Sequence, residues 1–391
     1  MLYEELNREL ESLRDQNLLR SRHDIEHVKK HKISIKGKWY INFSSNDYLG
    51  LSQDASVKKT MIEGIKSFGC GAGASHLISG HIKKQTELEK KIARLIGMDQ
   101  GLLFSSGYMA NLAFFTTMIA KSDAVFIDKL NHASLNQGVL ASGARFYRYA
   151  HLDTKSLEVQ LEKSHAKKKW IVTDGVFSMD GDVADVPGLL RLCRKYDAYL
   201  YIDDAHGYGI LGKNGQGILG HFKGIEKKDF DRIIYLLTFG KSMGLSGSVL
   251  CSKKIIGDYM MQKAKPYIYT TAQNPSISLA ALTSLEIIKN KQILRTHLNK
   301  LIKTFREQID KKELLGNSIT PIQPIILKDE KKVLAISKKL MHMGYYVSSI
   351  RPPTVEKNTS RLRISLSALH SLKDVLGLTQ AINSLINSHA I

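Results

Sequence analysis

The chain has 391 residues, 43% hydrophobic and 24% charged, with a formal net charge of +20. That length accommodates two or three lobes built on large cores, and no stretch approaches the roughly 20 apolar residues of a membrane span. Three widely spaced cysteines, Cys70, Cys193 and Cys251, lack C-x-x-C spacing and are odd in number, which speaks against a disulfide framework or a cysteine zinc site and for a reducing cytoplasm.

The charge admits nucleic acid, anionic substrates or an acidic protein partner. It is spread over tracts such as His27 to Lys32 and His165 to Lys169, with no interleaved aromatic stripe and no zinc-finger or RNA-binding signature. Solvated surface lysines are the plainer reading.

In chain order, Leu2, Leu6, Leu10 and Leu13 recur at helical spacing in a charged N-terminus, unlike a signal peptide. Ile33 and Ile35 alternate, "KGK" turns and "WYINF" returns, which predicts a hairpin. From Val57 to Ser252, seven short apolar runs ("GLLFSS", "AVFID", "RFYRYA", "WIVTDGVF", "AYLYID", "RIIYLLTF", "SVLCS") alternate with helical patterns such as "TELEKKIARLIG" and "PGLLRLCRKYDA". This is the α/β rhythm of a mostly parallel sheet between helices. A long helix is expected over Ser278 to Ile309, then strand, helix, strand, strand, helix in a small α+β lobe. The expected division is an N-terminal helix and hairpin segment (1–50), a large α/β domain (51–285) and a small C-terminal α+β domain (286–391).

Lys241, in "LLTFGKSMGLSG", follows a strand that delivers it to the carboxyl edge of the sheet, where ligands of open α/β folds collect. A lysine in a desolvated setting can serve as a nucleophile or base, whereas most lysines are surface charges, so Lys241 needs companions. Asp203, Asp204 and His206 end the strand "YLYID". No further ligand at helical or hairpin spacing supports a metal there. One of the two aspartates could instead hold a heterocyclic nitrogen protonated, as a pyridoxal ring requires, and alternation leaves open which points inward. "LFSSGYMAN" runs from strand to helix, with a candidate phosphate cradle at the helix start near Gly107 and Tyr108. His132 and Ser178 lie in loops after two further strands. A lone histidine is ordinarily a satisfied structural one, but these loops all follow strands of one sheet.

Taken together, "NFSSNDYLGL", "DKLNHAS", "DGVFSMDGD", "IDDAHGYGILG", "TFGKSMG" and "RPPTVEKNTSRLRIS" resemble the α-oxoamine synthases, collinearly from about Arg20 to the C-terminus. These are class II aminotransferase-like enzymes of the fold type I group of pyridoxal 5'-phosphate (PLP)-dependent transferases. The resemblance implies that Lys241 carries the cofactor, Asp203 partners the pyridine nitrogen, His206 the phenolate oxygen, and His132 stacks on the ring. It further implies Gly107, Tyr108 and Thr238 as phosphate holders, with Ser178 beside the cofactor. In a homodimer with shared sites, Thr270 or Thr271 would reach the neighbour's phosphate. Arg20, Asn46, His132, Thr354 and Arg363 are the implied substrate positions, Arg363 for an amino-acid carboxylate.

"RPPTV" followed by "RLRIS" favours the branch that condenses L-alanine with a pimeloyl thioester of CoA or acyl carrier protein, over branches using glycine with acetyl-CoA or making long-chain aminoketones. A non-catalytic nucleic-acid-binding relative is the remote alternative, against which Lys241, Asp203, His206 and His132 all speak. The sequence departs from the family at Gln85, where a histidine is usual, at His76, where an arginine is usual, at Asp174 (glutamate) and at Asn274 (proline). Gln85 puts a substrate-side hydrogen bond in doubt, for which His76 or His81 could compensate.

Overall fold

The computed structural model describes residues 1–388. Its contacts define two compact units: residues 1–50, 179–182 and 293 onward form one, and residues 51–178 and 183–292 the other.

The chain opens with α1 (Leu2–Asp15), β1 (His27–Lys29), β2 (Lys32–Ile35) and β3 (Lys38–Asn42). Strands β2 and β3 form the hairpin implied by the alternation, while β1 is a short exposed edge that no apolar pattern signals. The larger unit then runs through α2 (Ala55–Phe68), α3 (Lys83–Ile96), β4 (Gln100–Phe104), α4 (Gly107–Met118), β5 (Ala124–Asp128) and α5 (Ala133–Ser142). Next come β6 (Arg145–Tyr149), α6 (Thr154–Glu162), β7 (Lys169–Asp174), α7 (Val186–Tyr196), β8 (Ala198–Asp203) and β9 (Ile233–Thr238). It closes with β10 (Ser248–Ser252), α8 (Lys254–Lys263), α9 (Lys265–Ile268) and α10 (Pro275–Asn290).

The seven runs read as strands form one sheet, in the order β4-β10-β9-β8-β7-β5-β6. From β9 to β6 neighbours are parallel, and β10 is antiparallel to both of its partners. Its central strands are buried along nearly their whole length, as a sheet covered on both faces requires. Phe114, Phe115, Leu135 and Val139 from α4 and α5 pack with Val125, Tyr201 and Leu236 of the sheet in one cluster.

Register places the site. Asp174 at the end of β7 pairs with Asp203 at the end of β8, and Asp203 with Leu236 of β9. Ser248 of β10 pairs with both Thr238 and Phe104, so the carboxyl end of β4 lies level with that of β9. The loops after β4, β7, β8 and β9 therefore leave one edge of the sheet.

In the other unit, α11 (Gln292–Gln308) precedes β11 (Ile322–Lys328), α12 (Glu330–His342), β12 (Tyr345–Tyr346), β13 (Ser348–Ile350), β14 (Ser360–Ser365) and α13 (Leu372–Asn387). The single helix expected over Ser278 to Ile309 is two, because Lys291 leaves helical geometry (φ −96°, ψ 67°). Strand β12 extends the N-terminal hairpin in parallel, giving a sheet β1-β2-β3-β12, beside a second sheet β11-β14-β13. Residues 1–50, read from the sequence as a segment of their own, thus share a sheet with the C-terminal lobe. Among the described residues, no helix is long and apolar enough to cross a membrane.

Candidate active site

Lys241 lies three residues beyond β9, half-buried, in a turn that returns the chain to β10. Hydrogen bonds close this turn: Phe239 N–H donates to Gly247 O (2.8 Å), Leu245 N–H to Phe239 O (2.8 Å) and Gly244 N–H to Lys241 O (2.9 Å). Gly244 has φ +69°, and a Cβ there would strike the backbone of Leu51 and Ser52. The glycine is therefore fixed by conformation and by space.

At the end of β8 the structure separates the two aspartates. Asp203 Oδ2 accepts from Asn111 Nδ2 (2.9 Å) and Oδ1 from Ala205 N–H (3.1 Å). Its charge acts on His132 together with that of Lys241, so the three form one electrostatic group. Asp204 instead takes the Tyr235 hydroxyl and Ile218 N–H (2.8 Å), crowded by Gly175, Gly207 and Gly217. Burial pushes its carboxyl up to about 7. Asp203, as the family resemblance implies, is the acid on the lysine side. His206 is buried three residues further on.

Helix α4 starts at Gly107. Ser106 Oγ caps Met109 N–H (3.2 Å), and among the described residues no protein acceptor is recorded for the amides of Gly107 and Tyr108. A Cβ on Gly107 would lie 4.0 Å from Thr238 Cβ, which brings the helix start and that hydroxyl together. Thr238 Oγ1 donates to Gly247 O (2.9 Å) and accepts from Gly240 N–H (3.3 Å). A helix N-terminus with open amides beside a hydroxyl suits a phosphate.

His132 caps α5 and is held from the backbone, its N–H donating to Asp174 Oδ2 (2.7 Å). Asn131 ties the same loop to β7 through Val172 O (2.8 Å) and Asp174 N–H (3.1 Å). Burial, partly offset by Asp203, lowers the His132 imidazole below its ordinary range. Burial and the neighbouring Asp203 raise Asp174. Ser178 sits in the turn after β7. Sequence reasoning missed Asn111, Ser134 and Tyr201, which link these groups. The available signal is Asn111 itself, a lone amide one turn into an otherwise apolar helix.

Gln85 serves the fold: Oε1 accepts from Ile82 N–H (2.7 Å) and Nε2 donates to Gln273 O (3.2 Å). His76 and His81 bond each other through their Nδ1 atoms (2.8 Å), and His76 stacks on Tyr267 (4.9 Å). Thr271 bridges Ser75, and Thr270 and Thr271 lie near Ser105 and Met109.

In the other unit, Arg363 of β14 is buried and donates to Ser365 Oγ (2.7 Å), Asn46 Oδ1 (3.2 Å) and Tyr48 Oη (3.5 Å). Arg20 donates to Thr354 Oγ1 (2.9 Å). Both line a cavity of about 770 Å³ whose wall includes Arg351, Lys338, Leu334 and Ile350 and no carboxylate.

The donor set fits PLP: a carboxylate held by two N–H donors, a lysine amine in its field, an imidazole whose protonation is disfavoured by desolvation, and an amide-and-hydroxyl corner for a phosphate. Residues 38–382 match the family model for class I and II aminotransferases, and the chain belongs to that family, with the fold type I architecture. Its relatives are more particular. The 8-amino-7-oxononanoate synthase of Methylobacillus flagellatus is 43% identical over 386 residues, covering 98% of this chain and 96% of that one. That of Nitrosomonas europaea is 42% identical over 382 residues, covering 97% and 98%. Among solved structures, a serine palmitoyltransferase from S. paucimobilis with bound PLP and myriocin superposes with a TM-score of 0.90 at 27% identity, covering 98% of each chain. An 8-amino-7-oxononanoate synthase from Francisella tularensis gives 0.78 at 31%, covering 90% of this chain and 99% of that one.

Proposed function

We propose that the protein is a PLP-dependent acyltransferase of biotin biosynthesis. It joins L-alanine to a pimeloyl thioester of CoA or acyl carrier protein, yielding 8-amino-7-oxononanoate, CO2 and the free thiol. The observation that carries this reading is the Asp203, His132 and Lys241 group at the sheet's carboxyl edge, in a chain 43% identical to an enzyme of that name.

When bound, PLP supplies an electron sink for the charge that develops at the alanine Cα. Lys241 Nζ would hold the cofactor and, as a free amine, would take the Cα proton of alanine. Asp203 presents an anion to the pyridine N–H, and His206 a donor to the phenolate oxygen. The amides of Gly107 and Tyr108, with the Thr238 hydroxyl, hold the phosphate end, Ser178 lies beside the cofactor, and His132 covers the ring. Arg363 binds the alanine carboxylate bidentately, with Asn46 orienting the guanidinium. Arg20 and Thr354 belong to the thioester side. The cationic cavity they line supports an anionic donor.

The working form in this reading is a cytoplasmic homodimer, with Thr270 or Thr271 serving the neighbour's phosphate. The exposed Leu2, Leu6 and Leu10 of α1, and Ile78 and Tyr269 of the larger unit, are apolar surfaces suited to a second copy. The free thiols of Cys70, Cys193 and Cys251 suit a reducing compartment.

A product assay pairing L-alanine, glycine and L-serine with pimeloyl, acetyl and palmitoyl thioesters tests the reading. The alanine and pimeloyl pair should dominate. Preference for glycine with acetyl, or serine with palmitoyl, would move the protein to another branch.

A further inference from the structure

A run of hydrogen bonds joins Asp203 to His132 through two side chains to which no role has been given. Asn111, on the first turns of α4 and fully buried, donates from Nδ2 to Asp203 Oδ2 (2.9 Å) and to Ser134 Oγ (2.8 Å). Its Oδ1 receives the hydroxyl of the buried Tyr201 (2.6 Å). Ser134 Oγ lies 2.7 Å from His132 Nδ1, and Ser134 N–H donates to the same nitrogen (3.3 Å).

Proton counting gives this chain a direction. An ionised carboxylate only accepts, so the Asn111 amide must turn its NH2 toward Asp203 and its oxygen toward Tyr201. The second N–H then occupies a lone pair of Ser134 Oγ, leaving the serine proton for His132. With the Ser134 backbone N–H also aimed there, Nδ1 of His132 is an acceptor twice over.

We propose that Asn111 is a positioning residue: through Ser134 it couples the Asp203 carboxylate, an acceptor from two N–H donors, to His132, fixing that imidazole as the neutral tautomer with its proton on Nε2. This rests on the PLP reading for its purpose, a cofactor-facing ring of one fixed orientation, but not for its test. Burial, which lowers His132, favours the neutral ring independently.

The test is nitrogen NMR on 15N-histidine-labelled full-length protein at pH 7.5, with and without added PLP, His132 being assigned from the spectrum of His132→Gln. The expected wild-type result is a protonated Nε2 and an unprotonated Nδ1. Asn111→Leu, which removes both donors, should shift His132 to a mixture with at least a third of the Nδ1–H form. A wild-type ring protonated on Nδ1, or charged, overturns the proposal without need of any variant. A folded Asn111→Leu with an unchanged tautomer overturns the role of Asn111. Because no substrate is involved, absence of product in the assay above would refute the function while leaving this result standing.

Discussion

Asp203 and Asp204 are neighbours in the chain whose carboxylates answer to different surroundings. The first meets Asn111 and the His132 and Lys241 group, the second Tyr235 and Ile218. Asp203→Asn removes the anion that would face the pyridine nitrogen, and turnover should fall by about 100-fold or more, roughly 2.7 kcal/mol of barrier. Asp204→Asn should leave turnover within about threefold and reduce stability by about 1–3 kcal/mol, since the amide would bury an N–H where Oδ1 has no partner. Steady-state rates and denaturant unfolding of both variants check this, and equal losses of turnover would contradict it.

Lys241, the proposed point of cofactor attachment, sits on a turn closed by backbone hydrogen bonds and by the hydroxyls of Thr238 and Ser242. Lys241→Ala should therefore fold normally and still take up PLP, but borohydride should no longer fix the cofactor to the chain. Intact-mass spectrometry after reduction reads this out. A mass increase in the variant equal to that of the wild type would assign the attachment to another lysine.

Arg363 is held by Asn46, Ser365 and Tyr48 in a geometry that suits a planar fork. Arg363→Lys keeps the charge and loses the bidentate contact. The KM for L-alanine should rise by about 10- to 100-fold, on the order of 1.5–3 kcal/mol, with a smaller change in kcat. An unchanged KM would remove Arg363 from the alanine site.

Glu89 supplies a pH signature away from the chemistry. Its Oε1 accepts from Leu103 N–H (2.8 Å), and burial pushes the carboxyl up to about 8 from the usual 4.5. Between those values the unfolded chain has lost a proton that the folded chain retains, so stability falls as pH rises through that window. Glu89→Gln keeps the acceptor and cannot ionise. Its advantage in unfolding free energy over wild type should grow from near zero at pH 4.5 to on the order of 3 kcal/mol at pH 8. A constant difference across that range would show that Glu89 is already ionised when folded.

Much of this was legible in the chain because burial writes itself into sequence. The central strands of the large sheet are nearly continuous apolar runs, while edge strand β6 carries two arginines and stays partly exposed, and the loops that follow several of these strands contain the residues expected to hold the cofactor. The rest depends on partners distant in sequence. Nothing in "IDDAH" distinguishes its two aspartates, since the difference lies in Asn111 from α4 and Tyr235 from β9. Strand β1 is short and exposed, held by its pairing with β2 and by His27 against Trp39, and the break at Lys291 falls in a polar stretch with no Gly or Pro to mark it. Asn111 itself is one polar letter in "GYMANLAFF", and its meaning appears only when β8 lies beside it.

The most direct measurement of the central claim is the carbon and thiol balance with L-alanine labelled at its carboxyl carbon. With pimeloyl-CoA present, the protein should release one labelled CO2 and one free thiol for each alanine consumed, and neither when either substrate is omitted. Thiol release without CO2, or labelled CO2 without the thioester, would contradict decarboxylative condensation.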